Sequence, residues 1–440
     1  MERSEYLVIE RQGTNAKTEV VAGITTFLTM AYIIFVNPTV LSAAGMDKQA
    51  LVIVTCIASA VTTAIMGWLG HAPIAMAPGM GLNAFLAYSL VKAGQMTWQT
   101  ALGVVFLSGL LGVVLTLVGL RKRLVEAIPV SLVTAISVGI GLFITFIGLV
   151  NMGVVVKNEA TLVSAGSITG TVAIGLAGLL MMAFLEIRKV KGALLIGILF
   201  STLLAVVFGY VEKPASLMSF SFDIRPVAFQ LDILGALKWS LFGSIFTLMF
   251  MDMFDGIGTL VACCHEAGMV DEQGKIKGLG RLLVLDASAS MIGALFGTSS
   301  VTAYIESAAG IEQGGRTGLT ALVTALCFAL ALLFVPVVGI VPEYATAPAL
   351  VMVGLFMMKE IKRIDFNNTE EALPAFIILV MIALSYNISK GLAFGFISFV
   401  LIKLVAGKVR DVKPTMGVIA LLSLAFVTMD HLRAMVNSLK

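Results

Sequence analysis

The sequence predicts an all-α polytopic membrane protein with fourteen transmembrane spans in two inverted repeats of seven, the third and tenth spans being discontinuous half-helices. Three observations carry this. Of the 440 residues, 59% are hydrophobic and 12% charged, more apolar surface than a soluble domain of this size buries. Apolar runs long enough to cross about 30 Å of hydrocarbon recur along the chain. Lys and Arg gather in alternate loops, as expected when one side of the membrane is cytoplasmic.

In order, the first series lies near residues 20–41, 50–70, 79–92, 97–119, 127–150, 168–187 and 192–210. The second lies near 239–263, 282–297, 306–313, 317–340, 344–360, 371–387 and 389–406. These runs define a polar amino-terminal segment at 1–19, repeats at 20–210 and 239–406, a connecting segment at 211–238 and a carboxy-terminal segment at 407–440. An apolar stretch at 415–429 is either interfacial or the true last span, the latter if 371–406 forms one bent hairpin.

Arg3, Arg11, Lys17, Arg121, Lys122, Arg123, Arg188, Lys189, Lys191, Lys275, Lys277, Arg281, Arg316, Lys359, Lys362, Arg363, Lys403, Lys408, Arg410 and Lys413 fall on one side of this arrangement. Only Lys48, Lys92, Lys157, Lys213, Arg225 and Lys390 fall on the other. Both termini are therefore expected in the cytoplasm of a multi-pass cell-membrane protein. The polar start does not read as a cleaved signal peptide. A net charge of +3 points to no nucleic-acid partner. Cys56, Cys263, Cys264 and Cys327 sit in or beside apolar runs without metal-ligand spacing, so no metal or other cofactor is expected.

Each series has one member unfit for an ordinary span. Pro73, Pro78, Gly79 and Gly81 interrupt the first before Asn83, because proline removes a donor and glycine frees the backbone. In the second, the hydroxyl-rich run Gly297–Ile305 precedes Glu306, and Gly310, Gly314 and Gly315 end the short helix that Glu306 opens. Two half-helix amino termini at equivalent places would aim backbone N–H groups at a common midplane site.

Acidic groups inside apolar spans are costly and mark function. Asp252 and Asp255, three residues apart, share one helical face, and two carboxyls that close share a proton more readily than both ionise. With Glu306 opening a half-helix and Asn83 offering an amide donor and acceptor, these residues suit a planar polar ligand and a coupled proton. Phe250 or Phe254 would stack on its face.

Other residues read more blandly. Asp286 beside Arg281 suggests an ion pair at the membrane boundary, and His71 a loop position. His265 with the adjacent Cys263 and Cys264 lacks usable metal spacing. Thr25, Thr26 and Thr29 line one flank of the first span, as cavity lining or as hydroxyls bonded back to their helix. Gly310–Thr317 imitates a phosphate loop, but Arg316 stands where lysine is required and no βαβ unit precedes it.

The runs Ala77–Phe85, Phe250–Leu260 and Thr298–Ser307 together resemble the signatures of the azaguanine-type purine permeases, in the second nucleobase–cation symporter family. The resemblance extends from Thr18 past Asn387. It implies a core domain (20–119 and 239–340) moving against a gate domain (120–210 and 341–430), and proton-coupled import of adenine, guanine or hypoxanthine by a protein that is often a dimer. It also implies that Asn83, Asp252 and Glu306 bind the purine, and that Asp255 is a second essential acid. The expected function is thus a purine–proton symporter in which Asp252, Asp255 and Glu306 carry the coupling. The alternative is a sulfate or bicarbonate transporter of a related inverted-repeat fold, against which three acids argue. An enzyme is not expected, since no His, Lys or Cys pairs with the acids.

Overall fold

The computed structural model describes residues 14–94, 96–120, 128–212, 216–270 and 275–438. Most of the amino-terminal segment, with Arg3 and Arg11, and the basic residues Arg121, Lys122, Arg123 and Lys213 lie outside the described residues.

Ten helices among the described residues are long and apolar enough to cross a membrane. The first, Ala16–Ser42, bends at Ala31 and Tyr32 into α1 (Ala16–Met30) and α2 (Ile33–Ser42). There follow α3 (Lys48–Gly70), the short α4 (Met80–Ala84) continued by a π-helical stretch at Phe85–Ala93, α5 (Trp98–Leu117), α6 (Val130–Asn151), α7 (Gly170–Ile187) and α8 (Ala193–Val207). After a connecting stretch containing α9 (Ile233–Ala236) come α10 (Phe242–Glu266), α11 (Leu279–Phe296) and the short α12 (Ser307–Glu312). Then α13 (Gly318–Ala331), α14 (Val335–Gly339), α15 (Glu343–Met358), α16 (Thr369–Ser385), α17 (Ile388–Val405) and α18 (Pro414–Ser438) complete the chain. The 371–406 region is two helices joined at Tyr386, whose φ of 52° turns the chain, and α18 is a separate helix packed on α17.

Local chemistry sets the helix starts. Asn15, Asp47, Thr97, Thr169 and Asn387 each accept a backbone N–H at an amino terminus, covering donors that a helix cannot satisfy itself. Small residues let helices approach closely. A Cβ at Gly67 in α3 would stand 2.6 Å from the carbonyl oxygen of Gly318 in α13, so glycine here is a packing requirement.

The helices pack in two groups. One joins α1 and α3 to α13, α3 and α5 to α11, and α5 to α10. The other joins α6 to α15 and α16, α7 to α8 and α15, and α16 to α17. Two short strands lie within the first, β1 (Met76–Pro78) and β4 (Val301–Ala303), while β2 (Val155–Asn158) and β3 (Leu162–Ala165) form a separate hairpin. β1 and β4 pair antiparallel, with Met76 opposite Ala303, Ala77 opposite Thr302 and Pro78 opposite Val301. Non-helical backbone at membrane depth survives only where protein supplies its hydrogen bonds. Here Gly79 N donates to Ser300 O at 2.9 Å and Tyr304 N to Ala75 O at 3.0 Å, while the Thr63 hydroxyl serves both Met76 N and Met76 O.

Candidate functional site

The antiparallel ribbon makes α4 and α12 leave it at opposite ends, so the two chain breaks read from the sequence meet as one structural unit. Four of the predicted site residues gather around it. Asn83 lies in α4 and Glu306 caps the start of α12, while Asp252 and Asp255 lie on α10, which packs against β4 and α12.

Asp252 is buried at 5% exposure. Ser290 Oγ donates to its Oδ2 at 2.9 Å and Ser300 Oγ to its Oδ1 at 3.0 Å, so α11 and the residue before β4 hold both carboxyl oxygens. One turn on, Asp255 is exposed, and Asp286 and Glu306 both act on it electrostatically. The two aspartates share a helix but occupy different surroundings, one tied into the ribbon and one accessible.

Glu306 is half-buried. Tyr32, at the bend between α1 and α2, donates its hydroxyl to Glu306 Oε1 at 2.5 Å, and Thr29 Oγ1 reaches the Glu306 carbonyl at 3.4 Å. The bend thereby brings a donor to the acid. Thr25 and Thr29 bond back to their own helix at Val21 and at Thr25 and Thr26.

Asn83 is fully buried. Its Nδ2 donates to Asn37 Oδ1 at 2.6 Å, and Asn37 Nδ2 donates in turn to Thr55 Oγ1 at 2.6 Å and Thr298 Oγ1 at 3.0 Å.

The aromatic candidates separate. Phe250 is enclosed at 2% exposure among Phe246, Phe254 and Phe396. Phe254 stays half-buried and retains accessible surface. Asp286 differs from expectation. It is fully buried, accepting from Ala303 N at 3.2 Å and Thr302 Oγ1 at 3.4 Å, and it lies against Gly256 so closely that a Cβ there would collide with it. The Arg281 guanidinium donates instead to Gly70 O at 3.2 Å.

The phosphate-loop imitation has a structural task. Arg316 Nη1 donates to Ile311 O and Gly315 O at the end of α12, at 2.5 and 2.8 Å. The buried Glu19 carboxylate accepts from Arg316 N, Thr317 N, Thr320 N and Thr320 Oγ1 at the start of α13. His71 forms the left-handed carboxy cap of α3, as a loop position would. Asp286 was weighed in the sequence only as a boundary ion pair, and Tyr32, Asn37, Ser290 and Ser300 were not singled out for the site. The adjacent Asn37 and Pro38 inside an apolar span were the one available signal.

Comparison with known proteins adds the lineage. The profile of a permease family, Xan_ur_permease, matches residues 17–394. The adenine permease AdeP of Escherichia coli is 42% identical over 94% of this chain and 93% of its own. The guanine/hypoxanthine permease PbuG of Bacillus subtilis is 38% identical over 96% of this chain and 99% of its own. Among solved structures, the transmembrane domain of a cyanobacterial bicarbonate transporter, BicA, superposes with a TM-score of 0.63 at 16% identity, covering 85% of this chain and 97% of that one. At that identity the likeness is one of fold.

Proposed function

The chain belongs to the Xan_ur_permease family, in its purine permease branch, and is a multi-pass membrane transporter and not an enzyme; on that premise we propose that it imports purine nucleobases. The observation carrying this is the convergence of Glu306, Asp255, Asp252 and Asn83 on the β1–β4 ribbon. A purine edge alternates donors and acceptors, which carboxylates and an amide match, and Phe254 supplies a flat apolar contact.

The driving ion in this reading is the proton. Accessible Asp255 exchanges it, while Asp252 and Glu306 hold the base. A carboxylate near two others in a partly desolvated site ionises at a cost that an incoming proton relieves.

In the same reading, the helices form fourteen spans in two inverted repeats, both termini are cytoplasmic, and the protein resides in the cell membrane as a homodimer, a state that family likeness supports. The group holding α1–α5 and α10–α14 is the moving core, and that holding α6–α8 and α15–α17 is the gate. The separate packing of the groups supports this, as does the exposed Lys191–Glu312 pair at 2.9 Å, which joins the start of α8 to the end of α12 and would break as the core moves.

The test is reconstitution in liposomes, with uptake of labelled adenine, guanine and hypoxanthine measured under an inward proton gradient and under a sodium gradient. Proton-driven accumulation that a protonophore abolishes, and that Asp255→Asn uncouples, is the expected result. Equal uptake under sodium alone would overturn the proton assignment, and no purine uptake by folded protein would overturn the substrate.

A further inference from the structure

The amide of Asn83 has a fixed direction, and a helix carbonyl sets it. Thr55 Oγ1 donates to Leu51 O at 2.5 Å, four residues back in α3, and a carbonyl oxygen can only accept. The single hydroxyl proton of Thr55 is thereby used, so its 2.6 Å contact with Asn37 must run from Asn37 Nδ2 to Thr55 Oγ1. Asn37 Nδ2 also reaches Thr298 Oγ1 at 3.0 Å. Asn37 therefore turns Oδ1 toward Asn83, which must answer with Nδ2, as the 2.6 Å bond between them does. What remains is Asn83 Oδ1, buried and without a hydrogen-bond partner. Asn37, Thr55, Asn83 and Thr298 are all at 0% exposure, so bulk water does not compete for these bonds.

We propose that Asn37 is a positioning residue which, through Thr55 and Thr298, holds Asn83 as a hydrogen-bond acceptor alone, so that this position selects a substrate N–H. This rests on the purine reading and sharpens it, since an amide free to turn would take a donor or an acceptor indifferently. Asn83 is enclosed in this conformation, and its bond to Asn37 must persist when a substrate reaches Oδ1. A base that presents a lone pair there leaves the acceptor buried and unmatched, which lowers affinity by roughly 10- to 100-fold.

The test is binding by the purified full-length protein, by competition against labelled hypoxanthine and adenine. The competitors are analogues in which one N–H at a time is removed or replaced by an acceptor. Wild type should discriminate against one such analogue by roughly 10-fold or more. Asn37→Ala should reduce that ratio to within about 3-fold. Should Asn37→Ala fail to fold, the double substitution Thr55→Val with Thr298→Val removes the groups that orient Asn37 and should lose the discrimination likewise. Unchanged discrimination in the folded variants, or none in wild type that binds purines, would overturn the proposal. If wild type binds no base, the transport reading fails, and the relay is decided by melting of ligand-free protein. Losses for Asn37→Ala and Asn83→Ala that add in the double variant would then overturn the relay, and losses smaller than additive would support it.

Discussion

The hydroxyl of Tyr32 donates to Oε1 of Glu306 at 2.5 Å, joining the bend of the first membrane helix to the residue that opens the second half-helix, although 274 positions separate them in the chain. A hydrogen bond to a carboxylate is among the stronger kinds, and it orients a group that would otherwise sample several rotamers. Tyr32→Phe keeps the ring and removes only the donor. It is expected to weaken substrate affinity roughly 10-fold or more, on the order of 1.5–3 kcal/mol for a hydrogen bond to a charged group, with little loss of fold. Transport kinetics in proteoliposomes check this, and an unchanged KM would show that Glu306 needs no such anchor.

Ser300 and Ser290 hold opposite oxygens of the Asp252 carboxyl and contact each other at 2.5 Å. Ser300→Ala removes one donor from a buried acid, at a cost of about 1.5–3 kcal/mol. Substrate binding should fall roughly 10-fold or more, and Ser290→Ala should add less than its own single effect because the serines form one network. Calorimetric titration of the three variants would reveal strict additivity if the serines act independently.

Thr63 serves the backbone of Met76 at both its N–H and its carbonyl, at 2.9 and 3.0 Å. Thr63→Val has the same shape and neither bond, so it should destabilise the β1–β4 ribbon by about 1–3 kcal/mol for each group left unmatched. Thr63→Ser should recover most of the loss. Thermal melting in detergent distinguishes the two, and equal melting of Val and Ser variants would remove Thr63 from this role.

His71 caps α3 with φ of 54°, and burial, reinforced by the nearby Arg281 charge, lowers its imidazole pKa below the ordinary value. A group with a depressed folded pKa binds fewer protons in the folded state, so its contribution is present above the unfolded value near 6.5 and is lost as pH falls through the folded value. His71→Asn, which tolerates the left-handed conformation, should flatten the fall in melting temperature below about pH 6.5. Identical acid slopes in the two proteins would assign that sensitivity elsewhere.

Much of the architecture was legible because membrane helices announce themselves locally. The long apolar runs are the helices, and Pro73, Pro78 and Gly79 mark a real break, since proline and glycine act on the backbone where they stand. Asp252, Asp255 and Glu306 were conspicuous through the cost of burying acid in an apolar span. Which of Phe250 and Phe254 keeps an open face was not legible, because aromatic residues one turn apart look alike in sequence and only packing tells which is covered.

The sequence by itself determined where the chain crosses apolar surroundings, where it breaks and which acids lie within it, because hydropathy, proline chemistry and charge burial are properties of short stretches. Only the tertiary structure decided that the two breaks pair as strands, that Glu19 caps a helix some 300 residues away, and that Asn37 and Tyr32 orient Asn83 and Glu306. Those partners are neutral or solitary polar residues in unremarkable helical runs. What they do depends on which donor meets which acceptor across the fold, and hydrogen-bond direction exists only once distant segments are brought within about 3 Å.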